Sequence, residues 1–205
     1  MTVKEIFDLR KQGRVEEAYE AIRPMYAVHK GKYTTLCMFW TASDILKKRV
    51  KEQRYDEAVK IFKALLRILP TIEDADGRAH SSIYFSAVML SRELKGSYDG
   101  ASSPTSFSIL DFVEQMKVEQ ISDADWQGLS PVPSPNGEGS KNPIPPVAQL
   151  LLSRAFSELE EHPTVDNALK VMPLLRESVR REPDNKDNKR YMDIVYRIMG
   201  EGEKG

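Results

Sequence analysis

The chain has a single cysteine, Cys37, in 205 residues. One thiol excludes internal disulfides, Cys-rich zinc sites and iron–sulfur clusters, and it fits a reducing compartment. Long apolar runs are also missing. No stretch approaches the ~18 consecutive apolar residues needed to cross a bilayer, and Met1 to Ile6 carries no apolar leader. The expectation is a cytoplasmic protein with no membrane partner. Nor is there an excess of either charge: 30 Lys and Arg against 31 Asp and Glu leave a formal −1. No bulk field draws in polyanions, so nucleic acid is not an expected partner.

Catalytic and ligand-binding motifs are scarce as well. His29, His80 and His162 share no ligand spacing and read as surface or capping histidines. Asp74-Ala-Asp76-Gly77 has the vocabulary of a calcium loop, but Ile72 takes the first ligand place and Ile83 the closing one, where a Glu is required. That segment reads instead as a helix N-terminus, where acidic residues complement the dipole. Gly137-Glu-Gly-Ser-Lys141 lacks the glycine spacing of a phosphate loop. Cys37, inside Leu36-Cys-Met-Phe-Trp40, reads as packing. The sequence therefore predicts no enzyme, no cofactor and no metal site.

What the sequence does contain is helical periodicity, with apolar residues three and four apart in almost every segment between breakers. The pattern predicts an all-α chain of about nine helices, near 3–12, 14–29, 33–52, 55–69, 76–95, 106–120, 147–160, 164–181 and 186–199. Connections this short imply antiparallel hairpins. Six of the twelve prolines fall between Pro131 and Pro146, mixed with Gly128, Gly137 and Gly139. The expected organisation is helical hairpins over 1–121, a Pro/Gly/Ser-rich linker or disordered loop over 122–145, and a C-terminal hairpin with a terminal helix over 146–205. Trp126, in an acidic stretch at the start of that linker, is expected to anchor it to the helices or to hold a partner.

The helices also repeat. Ala58, Phe62, Leu65 and Pro70 combine a small residue where two helices approach, an aromatic four residues on, and a proline that ends the helix. Ala18, Ile22 and Met25 take the same steps earlier in the chain, and Val171, Leu175, Ser178 and Pro183 do so later, with Ala168, Met172 and Leu175 as a competing register. This spacing resembles the second helix of a tetratricopeptide repeat (TPR), which implies a TPR-like antiparallel helical-hairpin solenoid. The departures are specific. Ala18 to Ala58 is forty residues rather than ~34, the first-helix Trp and Gly are absent, and Pro24 and Pro173 fall inside second helices.

In proteins of that family the concave groove is lined by first-helix residues at fixed distances before the small residue of the second helix. Carried onto this chain, the resemblance implies Trp40, Ser43, Lys47, Val50 and Lys51, then Phe7, Arg10 and Lys11, and then Asp187, Arg190, Ile194, Arg197 and Ile198. Such a groove is basic with apolar patches. It would suit an acidic peptide or a C-terminal carboxylate, with an adaptor or scaffold role. Two alternatives stay open. The cluster Lys47, Lys48, Arg49, Lys51 and Arg54 could serve a nucleic-acid-associated accessory protein. Alternatively, a truncated repeat array could self-associate through its apolar final helix, which carries Tyr191, Met192, Ile194, Val195, Tyr196, Ile198 and Met199.

Overall fold

The computed structural model describes residues 1–94, 106–127 and 146–202. Among them there is no strand and there are ten α-helices: α1 (Val3–Lys11), α2 (Val15–Val28), α3 (Lys32–Lys51), α4 (Tyr55–Ile68), α5 (Arg78–Glu93), α6 (Ile109–Gln115), α7 (Asp123–Gln127), α8 (Val147–Glu161), α9 (Val165–Arg181) and α10 (Lys186–Gly202). The all-α expectation holds, with two corrections. The helix expected over 106–120 is α6 followed by a separate 3₁₀ turn, Val118–Gln120. The tenth helix, α7, lies where the linker was expected to begin. Among the described residues no helix is long and apolar enough to cross a membrane.

The chain divides into two compact units, Met1–Phe107 and Ser108–Gly205. In the first, α3 is the central element. It packs against α1, α2, α4 and α5, and Cys37, Phe39, Ala42, Ile45 and Leu46 are buried along it. A helix with neighbours on so many sides has no single apolar stripe, as expected of a core helix. Ala18 of α2 and Ala58 of α4 are fully buried, as are Ile22 and Leu65. Phe62 is 2% exposed and meets Phe107 edge-on, with ring centroids 5.3 Å apart. Pro24 sits on the exposed side of α2, where solvent replaces the missing N–H, and the helix runs through it.

The two hairpin turns of this unit are built alike, forty residues apart. After α1 the N–H of Gly13 donates to the carbonyl of Arg10 (3.0 Å) and that of Arg14 to Leu9 (3.0 Å). After α3 the N–H of Gln53 donates to Val50 (3.0 Å) and that of Arg54 to Arg49 (2.9 Å). Both are Schellman caps, which need a residue in the left-handed region at the turn. Gly13 has φ 77° and Gln53 has φ 58°. Each Arg then pairs with a glutamate one turn into the next helix, Arg14 with Glu17 and Arg54 with Glu57.

In the second unit α6 packs on α8 and α9, and α10 on α9. The unit therefore begins at Ser108, not at the 146 expected from composition. α6 joins this unit through buried Ile109, Leu110, Phe112 and Val113 and through polar contacts. Glu158 of α8 accepts the Ser108 hydroxyl and the Ile109 N–H (3.0 Å) at the start of α6, and Lys170 of α9 pairs with Asp111 at 2.7 Å. Residues 122–127 also belong to the fold. Ser122 and Asp125 form reciprocal capping bonds: the Ser122 hydroxyl donates to Asp125 at 2.8 Å, and the Asp125 N–H donates back to that hydroxyl at 3.3 Å. Trp126 is 5% exposed, with the Arg181 guanidinium 5.2 Å from its ring centre. The rest of the expected linker, 128–145, lies outside the described residues.

Ala168 is the fourth residue of α9, as Ala18 is of α2 and Ala58 of α4. Both candidate registers put buried residues on α9, because Ala168, Val171, Leu175 and Ser178 share one covered face while Met172 is only half-buried. The Ser178 hydroxyl donates to Asn188 at 2.8 Å, and Asn188 donates to the Glu182 carbonyl at 3.0 Å, fixing the turn into α10. On α10, Ile194, Val195 and Ile198 are buried, and Tyr191 stacks on Phe156 with centroids 4.1 Å apart. Tyr196 is the large apolar residue of this helix that stays exposed.

Candidate docking face on α1 and α3

α1 and α3 pack side by side in the first unit, which brings Arg10 to Trp40. The Arg10 guanidinium lies 5.9 Å from the centre of the Trp40 ring, and its Nε donates to Asp44 at 2.5 Å. Trp40 is held in turn by Phe39, edge-on at 5.2 Å. Trp40, Asp44, Lys47 and Lys51 follow one another at steps of four, three and four, which sets them on one stripe of α3. Lys47 is half-buried and Lys51 exposed. Lys11, on α1, is exposed and 3.8 Å from Asp8.

Four of the implied groove positions do not line a surface, two of them on α3. Ser43 is 1% exposed and donates its hydroxyl to the Phe39 carbonyl at 2.9 Å within its own helix. Val50 is buried. Both lie on sides of α3 taken by other helices. The C-terminal positions belong to the second unit. There Ile194 and Ile198 are core residues, Arg190 pairs with Glu160 at 3.1 Å, and Arg197 and Asp187 are exposed. The structure thus assembles Arg10, Trp40, Lys47 and Lys51 in one unit and places Arg190 and Arg197 in the other.

The basic cluster at the end of α3 separates into two groups. Arg49 is buried and holds three helices together: its two Nη atoms donate to Glu16 of α2 at 2.5 and 2.9 Å, and its Nε to Glu57 of α4 at 2.9 Å. Lys48 also reaches Glu16, at 3.0 Å, and Arg54 pairs with Glu57 at 2.6 Å. The hydrogen bonds from Arg49 hold the Glu16 carboxyl down at about 2. Arg49 is therefore an internal brace, and Lys48 and Arg54 are paired nearer the surface. Lys47 and Lys51 have no such carboxylate among the described residues.

Titratable groups elsewhere have structural explanations. Asp74 accepts the N–H groups of Ala79 and His80, each at 2.9 Å, and the His80 ring at 2.7 Å, so it caps α5. Burial raises the Asp74 carboxyl, but those N–H bonds outweigh it and the net shift is downward. Burial pushes the Cys37 thiol up, away from the thiolate a nucleophile needs. Among the described residues no group of three or more His, Cys, Asp or Glu side chains could hold a metal ion. Sequence reasoning missed Arg49 and Glu16 as a pair, and it missed the Ser122-x-x-Asp125 cap, although the cap's spacing was readable. Compared with family models, curated proteins and solved structures, the chain matches none.

Proposed function

We propose that this chain is a non-catalytic interaction module, TPR-like in its hairpins, whose α1–α3 face docks an acidic segment of a protein partner. The observation that carries this reading is the α3 stripe. Lys47 and Lys51 stay unpaired while Lys48 and Arg49 on the same turns, and Arg54 at the start of α4, are paired with glutamates. Trp40 and the Arg10 that covers it supply contact area beside the charge. Other features support the TPR-like part: the small residue recurring as the fourth position of α2, α4 and α9, the paired Schellman turns, and the packing of α3 on both α1 and α5. A nucleic-acid surface is less well supported, because it needs a continuous row of unpaired cations and three of the five in the cluster are spent.

The test compares proteins retained from a cell lysate by the wild type and by the double variant Lys47→Glu, Lys51→Glu. Both residues are unpaired, so helicity and melting should be unchanged while specific partners are lost. Identical retained sets would overturn the docking face. Retention only of nucleic acid that washes off with salt would favour the accessory reading.

A further inference from the structure

A cleft between α1 and the start of α3 is not explained by the charge stripe. Its volume is about 770 Å³, and its walls are Lys4, Phe7 and Lys11 on α1 and Lys32 and Tyr33 at the start of α3, with His29 from the link between α2 and α3. A space of this size is in the range of pockets that take a drug-sized ligand or a few peptide residues, ~300 to 1,000 Å³. One wall is firmly held: Thr2 and Glu5 form a capping box at the start of α1, with the Thr2 N–H donating to Glu5 at 2.7 Å and the Glu5 N–H to the Thr2 hydroxyl at 3.3 Å. That orders the backbone turn carrying Lys4.

We propose that this cleft binds the anchor residue of an acidic peptide segment, an aromatic or branched apolar side chain flanked by carboxylates. The inference rests on the docking reading above and fixes where the partner's anchor sits. Tyr33 is 72% exposed, an unusual position for a large aromatic ring, and with half-buried Phe7 it offers apolar area to an inserted side chain. Around that area positive charge is in excess. Asp8 is the one carboxylate among the lining residues, against Lys4, Lys11 and Lys32. Lys32 is already paired with Glu73 at 2.5 Å, and Lys11 only distantly with Asp8. α3 also starts at Gly31 with no side-chain cap and no acid in its first turn, so nothing offsets the positive end of its dipole. Carboxylates on either side of an apolar anchor complement this arrangement, meeting Lys4, which pairs with no carboxylate among the described residues, and the uncapped start of α3.

The test uses fluorescein-labelled peptides with Asp and Glu flanking a central Phe, Trp, Leu or Ala, titrated with the full chain and read by anisotropy. The Phe, Trp and Leu peptides should bind, and the Ala peptide should bind about tenfold more weakly. Tyr33→Ala and Lys4→Glu should each weaken the Phe peptide about tenfold. Combining Tyr33→Ala with the Ala peptide should cost less than the product of the two losses, because both remove the same contact. Both side chains are exposed, so circular dichroism should show the variants folded, and if Tyr33→Ala fails to fold, Lys4→Glu still decides. If Lys47→Glu, Lys51→Glu weakens every peptide while the two cleft variants bind like wild type, the cleft inference falls and the docking face stands. If no peptide binds, both fall.

Discussion

Gln53 holds a backbone conformation that costs an L-residue free energy, and the matching position forty residues earlier holds a glycine. This gives a pair of opposite predictions from one geometry. A non-glycine residue in the left-handed region costs roughly 1 to 2 kcal/mol. Glycine removes that strain but gives the unfolded chain more freedom, worth about 0.4 to 1 kcal/mol against folding. The balance makes Gln53→Gly stabilising by roughly 0.5 to 1 kcal/mol. The Gln53 side chain is exposed, so little packing is lost. Gly13→Ala should cost a similar amount, and for that reason alone, since a Cβ there meets nothing within 4 Å. For a unit the size of Met1–Phe107, a change of 1 kcal/mol moves the melting temperature by about 4 to 8 °C. Thermal and guanidinium unfolding followed by circular dichroism at constant pH measure both variants. A destabilised Gln53→Gly, or a Gly13→Ala that melts with the wild type, would refute the two-turn correspondence.

Two further outcomes follow from the core and from the brace around Arg49. Phe62→Ala removes a ring that is 2% exposed and packed on Phe107, so chemical denaturation should show a loss of about 3 to 5 kcal/mol; a loss below ~1 kcal/mol would contradict its place in the core. Glu16 is held at about 2 by Arg49, below its ordinary 4.5, so its contribution is complete above pH ~4.5 and disappears as pH falls towards ~2. Arg49→Met should reduce the slope of stability against pH in that window, leaving the part due to the other lowered carboxyls, among them Glu177, which Arg180 and Arg181 hold at about 2; an unchanged acid slope would remove the brace.

Helix type and most boundaries were readable because they are set locally. Periodicity, Gly13 and Pro163 mark where helices begin and end, and Ala18, Ala58, Phe62 and Leu65 are buried where their spacing put them. The same local reasoning erred where two signals competed. Ser122 and Asp125 carry a capping signature, yet they sit at the edge of a Pro- and Gly-rich stretch whose composition dominated the reading. The division between the units was hidden for a different reason. It follows the packing of α6 on α8 and α9, where Glu158 reaches Ser108 fifty residues earlier and Lys170 reaches Asp111, and no spacing within either helix announces those partners.

The docking face shows the same limit at the scale of one helical turn. Lys47, Lys48, Arg49 and Lys51 look like one basic cluster, because sequence records proximity along the chain and not direction around the helix. Each step turns a side chain by about 100°, so Lys48 and Arg49 leave the stripe shared by Trp40, Lys47 and Lys51. They meet Glu16, which is thirty-three residues before Arg49, on a helix whose placement depends on how α2 crosses α3. Whether a surface cation is a brace or a contact is therefore a tertiary property. Glu16 and Glu57 decide it here: they take Lys48 and Arg49 and leave Lys47 and Lys51, on the other side of α3, without a carboxylate partner among the described residues.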